Sequence, residues 1–317
     1  MRVRARSDEG RDSAGTGSGG RGARRPDDVS RRSAAAVGVI VPVHGWAPYL
    51  AETLDAILRE EPGEVVVVDD GSDPPVRLLA SHASACRLVR LEKRRGLAGA
   101  RAAGLAELAS DLVALCDGDD VWEPGSLGLR VTALGRTGAA AFGRALIIGP
   151  DGRPTGEQWT VPDRLDLPAL FEANPLCVSS VVLRRDKLIE AGGLDCDLPR
   201  AEDWELWLRL LGRGERLVYE PRAVVRYRRR AGALSGDIAS LARAQLELHA
   251  RHAGLVSPAC AEHVRAADLR ALAAGLVRQR RYDEAADALR AAGASPLRAT
   301  VPGVRALRGR RDPYRRR

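Results

Sequence analysis

Residues 37–43 read VGVIVPV and residues 64–68 read EVVVV, with almost no polar interruption. Short, nearly continuous apolar runs form strands covered on both faces, as in a parallel sheet flanked by helices. CRLVRLE (86–92) and LVALC (112–116) add a third and a fourth strand. Between these runs the period changes. In YLAETLDAILRE (49–60), Leu50, Leu54, Ile57 and Leu58 share one helical face. The Ala-rich LAGARAAGLAELA (97–109) is helical as well. Strand, helix, strand, strand, helix, strand at this spacing predicts an open α/β sheet. In such sheets ligands bind beyond the carboxyl ends of the strands.

The polar residues gather at those ends. The first strand runs into Pro42-Val43-His44, the second into Asp69-Asp70-Gly71-Ser72, and the fourth into Asp117-Gly118-Asp119-Asp120. If these strands are parallel neighbours, five acids meet on one rim. DDGSD alone is equally a turn and a site, because Asp and Gly favour turns. Two acidic clusters at equivalent strand ends shift the reading towards function.

Further on, EDWELWLRL (202–210) has helical spacing, with Trp204, Trp207 and Leu208 facing a core and Leu211 continuing the stripe. Glu202 and Asp203 then fall at the helix N-terminus, where the dipole favours negative charge. After Ser235 the composition turns Ala/Leu/Arg-rich and predicts helices over 238–310. LRALAAGLVRQRRYDEAADALRAAG (269–293) resembles a single tetratricopeptide-like helix pair; one unit makes no solenoid. The expected division is a basic tail (1–35), an α/β domain (36–236), a helical appendage (237–310) and a short basic tail (311–317).

Composition alters this picture in two places. The five cysteines are scattered and lack CxxC spacing, which argues against a disulfide framework or zinc site and for a reducing cytosol. No run approaches the roughly 18 apolar residues of a membrane span, and the N-terminus lacks the apolar segment of a signal peptide. A cytoplasmic location is therefore expected. The net charge of +8 is concentrated at the ends: +4 in residues 1–35 and +6 in 304–317, leaving about −2 for the body. Such arginine-rich ends read as disordered tails, with peripheral contact to anionic membrane as the functional alternative and no specific nucleic-acid partner.

The acidic loop carries the sharper chemistry. Alternate residues of an extended segment face one way, so Asp117 and Asp119 can present oxygens together, with Gly118 admitting a ligand to the backbone. Hard oxygen ligands suit Mg²⁺ or Mn²⁺, which also take phosphate oxygens from a substrate.

With these residues in view, region 37–236 resembles the family-2 glycosyltransferases of GT-A fold. The matching segments come in that family's order: VIVPVHG, EVVVVDDGSD, RRGLAGARAAG, LVALCDGDDVWEP, GGLDCDL, AEDWELWLRLLGRG and VVRYRRRAGALS. The resemblance implies a Rossmann-like GT-A sheet and a nucleotide-diphosphate sugar donor, with UDP-sugar favoured. It implies base and ribose contacts from Pro42, Val43 and one of Asp69 and Asp70, with Arg101 near the nucleotide. Asp119 would bind Mn²⁺ or Mg²⁺ most directly. Asp117 would bind ribose or support the metal, with Gly118 beside it. Asp203 would be the general base of an inverting displacement. Glu202, Trp204 and Arg228 would be acceptor or diphosphate contacts, and the acceptor a hydroxyl of a saccharide, lipid-linked glycan or small molecule. Three departures stand out. His44-Gly45 replaces the usual Tyr-Asn, Arg101-Ala102-Ala103-Gly104 lacks an Asn, and YRRRAGALS lacks a His. Arg228 to Arg230, on a loop, would supply positive charge there instead. A nucleotidyltransferase and a non-catalytic nucleotide-sugar binder are the alternatives.

Overall fold

The structure, a computed structural model of the chain, describes residues 34–162, 165–230 and 237–293. The first half alternates strands and helices: β1 (Val37–Val43), α1 (Leu50–Leu58), β2 (Glu64–Asp69), α2 (Ala80–Ala83), β3 (Arg87–Arg90), α3 (Gly96–Glu107) and β4 (Leu112–Leu115). These strands lie in the order β3-β2-β1-β4, all parallel. β1 therefore has β2 on one side and β4 on the other, so the chain reverses its winding direction at β1. That reversal opens a crevice at the carboxyl ends of β1 and β4.

The second half turns the sheet mixed. β5 (Val121–Trp122), α4 (Ser126–Leu134), β6 (Ala140–Ile148), β7 (Pro154–Gln158), α5 (Leu167–Glu172), β8 (Val181–Arg184), α6 (Arg185–Glu190), α7 (Glu202–Gly212) and β9 (Leu217–Arg228) follow. The sheet continues β4-β8-β6-β9-β5, with β7 on β6. β8 runs antiparallel to β4 and β6, whereas β9 runs parallel to β6. Three helices close the described chain: α8 (Ile238–His252), α9 (Pro258–Arg278) and α10 (Tyr282–Ala291).

The continuous apolar runs are explained by burial on both faces. Ile40, Val66, Val68, Val113 and Leu115 point into one core with Ala98 and Ala100 of α3 and Trp204, Trp207 and Leu208 of α7. Their neighbours Val39, Val41, Val65, Val67 and Ala114 point into the other, with Leu50, Leu54 and Ile57 of α1 and Leu127 of α4. Leu248 of α8 and Val264 of α9 join the first core. β3 is shorter than the 86–92 run because it is an edge strand whose residues are mostly exposed. No helix among the described residues is long and apolar enough to cross a membrane. The two basic tails, apart from 34 and 35, lie outside the described residues.

Candidate active site

The DDGS turn is held by its own hydrogen bonds. Asp69 is buried, and its carboxylate accepts the Ser72 and Val76 backbone N–H groups at 2.9 and 3.1 Å and Arg90 Nη1 at 2.7 Å. Burial pushes this carboxyl up, but those bonds and the Arg90 charge outweigh it and hold it below the usual range. Asp70, also buried, accepts the Arg95 and Gly96 N–H groups at 2.6 and 2.9 Å, filling two of the unpaired donors at the start of α3. Gly71 is obligatory: its φ is +66°, and a Cβ there would sit 2.6 Å from the Arg94 nitrogen. The β1 loop is tied to the same turn by His44 Nδ1 on the Asp70 carbonyl (2.8 Å) and by the Gly45 N–H on Ser72 Oγ (2.8 Å). Both carboxylates, implied by the resemblance to include a base contact, thus also hold the loops around them in shape.

The three acids after β4 have three different environments, which is how their repulsion is managed. Asp117 Oδ1 accepts from Arg101 Nη2 at 2.7 Å. Asp119 Oδ2 accepts from Arg230 Nε at 2.7 Å. Asp120 is fully buried and accepts from Ser179 Oγ and, at 2.9 Å, from the Arg228 N–H. Burial, then Asp117 and Asp119, push the Asp120 carboxyl well above the usual range. Burial and Asp117 raise Asp119 as well, against the opposing Arg230 charge. Gly118 sits where a Cβ would be 2.7 Å from Val43 Cγ1, so this glycine seats the acidic loop on β1.

Asp117 and Asp119 keep 27% and 24% of their side-chain surface, whereas Asp120 keeps none. Only the first two can reach a ligand. They line a cleft of about 390 Å³ with Pro42, Val43, His44, Gly118 and Arg94, closed opposite by Arg228 and Arg230. Among the described residues no group of three or more His, Cys, Asp or Glu could hold a metal by itself. Two accessible carboxylates nevertheless fit a hard divalent ion that completes its shell with water and phosphate oxygens.

Arg101 joins this loop to α7. It is 1% exposed and bonds both Asp117 and Glu202. Burial works against its charge, but Asp117, Glu202 and Asp203 together hold its pKa above the ordinary value. The single arginine of this Ala-rich helix is the buried bridge between both acidic motifs. Burial raises Glu202 and Asp203 above the usual carboxylate range, with Arg101 opposing in each case. Asp203 Oδ2 accepts from Asn174 Nδ2 at 3.1 Å.

The three residues implied as acceptor or diphosphate contacts have different surroundings. Glu202 is buried, and its Oε1 accepts from Arg101. Trp204 is buried, with its indole N–H on the Leu170 carbonyl at 2.7 Å, because its helical position faces the core. Arg228 ends β9 rather than lying on a loop. Its guanidinium bonds the Asp119 carbonyl (2.9 Å) and Glu52 (2.6 Å) and lies over the Tyr49 ring at 4.2 Å. Ser179, Asn174 and Glu52 carried no sequence signal, since each acts through a partner distant along the chain.

The acidic loops lie at the winding reversal of a half-parallel α/β sheet, where such sheets bind their ligands. Residues 38–193 match the family model described as Glycosyl transferase family 2, which places this domain in that family, with a GT-A fold. Pre-mycofactocin glycosyltransferase of Mycobacterium tuberculosis is 31% identical over 218 residues, covering 64% of this chain and 44% of that protein. The chain spans 44 to 67% of the length of the first curated relatives it matches. Among solved structures, S. aureus TarS 1-349 in complex with UDP-GlcNAc superposes with a TM-score of 0.56 at 17% identity, covering 86% of this chain and 83% of that one. Mannosyltransferase PcManGT from Pyrobaculum calidifontis, in complex with GDP-Man and Mn²⁺, gives 0.55 at 22%, covering 88% and 81%. At these identities the likeness is one of fold.

Proposed function

We propose that the protein is an inverting glycosyltransferase that moves a sugar from a nucleotide-diphosphate donor, with UDP-sugar favoured, to an acceptor hydroxyl. One observation carries this reading: buried Arg101 ties Asp117 of the acidic loop to Glu202, the neighbour of Asp203, so donor and base machinery share one rigid centre. The TarS and PcManGT complexes, with UDP-GlcNAc and with GDP-Man and Mn²⁺, support a nucleotide-sugar donor.

The nucleotide enters the cleft between the β1 loop and the acidic loop, against Pro42, Val43 and Gly118. Asp117 and Asp119 would hold Mn²⁺ or Mg²⁺, which would neutralise charge on the departing diphosphate. Arg230, exposed and paired with Asp119, is free to turn its charge towards the same phosphates. Asp203 accepts the proton of the acceptor hydroxyl as its oxygen bonds to the anomeric carbon. The bond from that carbon to the diphosphate breaks on the opposite side, and the electron pair leaves with the nucleotide. A carboxyl raised by burial is a stronger base than a solvated one, which suits this step. The whole reading is tested by incubating the protein with UDP-N-acetylglucosamine and GDP-mannose, with and without Mn²⁺, and measuring nucleotide release. Mn²⁺-dependent release from one donor is expected; no release from either, or release indifferent to chelator, contradicts it.

A further inference from the structure

We propose that the C-terminal helices position the base: His249, fixed by Asp268, packs on Trp204 and sets the first turn of α7. This deepens the reading of Asp203 as general base and rests on it. His249 lies on α8 and Asp268 on α9; they are 3% and 6% exposed, with His249 Nδ1 and Asp268 Oδ2 2.6 Å apart. A polar pair carries a desolvation cost in such a place, and fixing one orientation is a reason to keep it. His249 Nε2 is buried and has no hydrogen-bond partner among the described residues, so the bond to Asp268 is the one that orients the ring there.

What that ring touches is specific. It meets Trp204 edge-on at 5.0 Å and Phe171 at 4.6 Å. Trp204 follows Asp203 directly in α7. Phe171 belongs to α5, three residues before Asn174, whose amide bonds the Asp203 carboxylate. One imidazole therefore braces both elements that hold Asp203. Two more contacts from α8 reach the same region. His252 Nε2 lies 3.0 Å from Glu205 Oε1 on α7, and Arg251 pairs with Asp195 in the loop before it. A helical appendage attached only for stability has no need of a polar pair buried beneath the base.

The test uses the full chain and whichever of UDP-N-acetylglucosamine and GDP-mannose the wild type hydrolyses faster with Mn²⁺. Turnover, donor KM and melting temperature are measured for His249→Ala, Asp268→Leu, Asp268→Asn, Asp203→Asn and the His249→Ala/Asp203→Asn double variant. Small misplacements of a catalytic group cost up to about 100-fold, so His249→Ala and Asp268→Leu should lose about 10-fold or more in kcat. Donor KM should stay within about twofold, since a base-positioning defect spares donor binding. Asp268→Asn keeps an acceptor for Nδ1 and should retain wild-type kcat. In the Asp203→Asn background His249→Ala should cost less than about twofold further, because residues acting as a unit are non-additive. If His249→Ala does not fold, His249→Phe keeps the ring and removes Nδ1, and a loss of kcat at unchanged KM is still expected. Unchanged kcat in a folded His249 variant, equal loss in kcat and donor affinity, or full additivity with Asp203→Asn overturns the proposal. Wild-type turnover by Asp203→Asn would instead overturn the base reading itself.

Discussion

Replacing Arg101 with methionine keeps much of the side chain's volume and removes its charge. The guanidinium is 1% exposed and is shared by Asp117 and Glu202, and Glu202 is itself only 4% exposed. Removing one partner of a buried ion pair leaves an uncompensated charge and costs about 3–5 kcal/mol. At about 2–4 °C per kcal/mol for a domain of this size, the melting temperature should fall by about 6–20 °C. The pH dependence adds a second signature. Arg101 lowers the carboxyls of Glu202 and Asp203 against the burial that raises them. Without it both folded-state values rise further. An acid whose folded pKa lies above its unfolded one destabilises the fold increasingly as pH rises from the unfolded value through the folded one. The deficit of Arg101→Met should therefore be small near pH 4 and largest above neutrality. Thermal melts of both proteins from pH 4 to 8, followed by circular dichroism, read this directly. A deficit under about 1 kcal/mol that is flat with pH would refute the bridge.

Asn174→Ala removes a hydrogen bond that lowers the Asp203 carboxyl, so the acidic limb of the kcat–pH profile should move to higher pH; a limb that stays in place contradicts Asp203 as its source. Asp119→Asn should weaken Mn²⁺-dependent nucleotide binding, measured by calorimetry, while melting near the wild type, because its side-chain partner among the described residues is the exposed Arg230. Glu205 is raised by burial but held below its usual value overall by His252 and Arg209, so Glu205→Gln should cost about 1–3 kcal/mol at neutral pH. That cost should fade as pH falls below about 4.3 towards the lowered folded value, since the unfolded chain then takes up the proton before the native carboxylate does; a urea titration at pH 7 and pH 3.5 separates the two. Gly71→Ala forces a positive φ and a 2.6 Å approach to Arg94, so it should cost at least about 1 kcal/mol and weaken nucleotide binding through the loop it distorts.

The parallel half of the sheet was legible because β1, β2 and β4 are buried on both faces and so keep almost no polar positions. The mixed half was not. β6 carries Gly143 and Arg144 at a register shift, and β9 interleaves Glu220, Arg222 and Arg226 with its apolar residues, so neither shows a clean period. At the site, Asp117, Asp119 and Asp203 stood out by residue type and by place on their elements. The roles of Asp69, Asp70 and Arg101 could not be read that way. A carboxylate that fills backbone donors 25 residues on, as Asp70 does, looks in sequence like one that meets a ligand. Arg101 is buried only because two carboxylates, 16 and 101 residues away, converge on it. His249 left no trace, since a histidine in an Ala/Leu-rich helix has no pattern that reveals its partner on the next helix.

In the proposed reaction one centre binds a nucleotide sugar through Asp119 and uses Asp203 for the chemical step. The most direct measurement is Asp203→Asn assayed side by side for Mn²⁺-dependent nucleotide affinity and for nucleotide release from the donor. Wild-type affinity with turnover lowered by at least about 100-fold, the scale of general-base catalysis, is expected. Turnover that survives, or affinity that is lost along with it, contradicts the assignment.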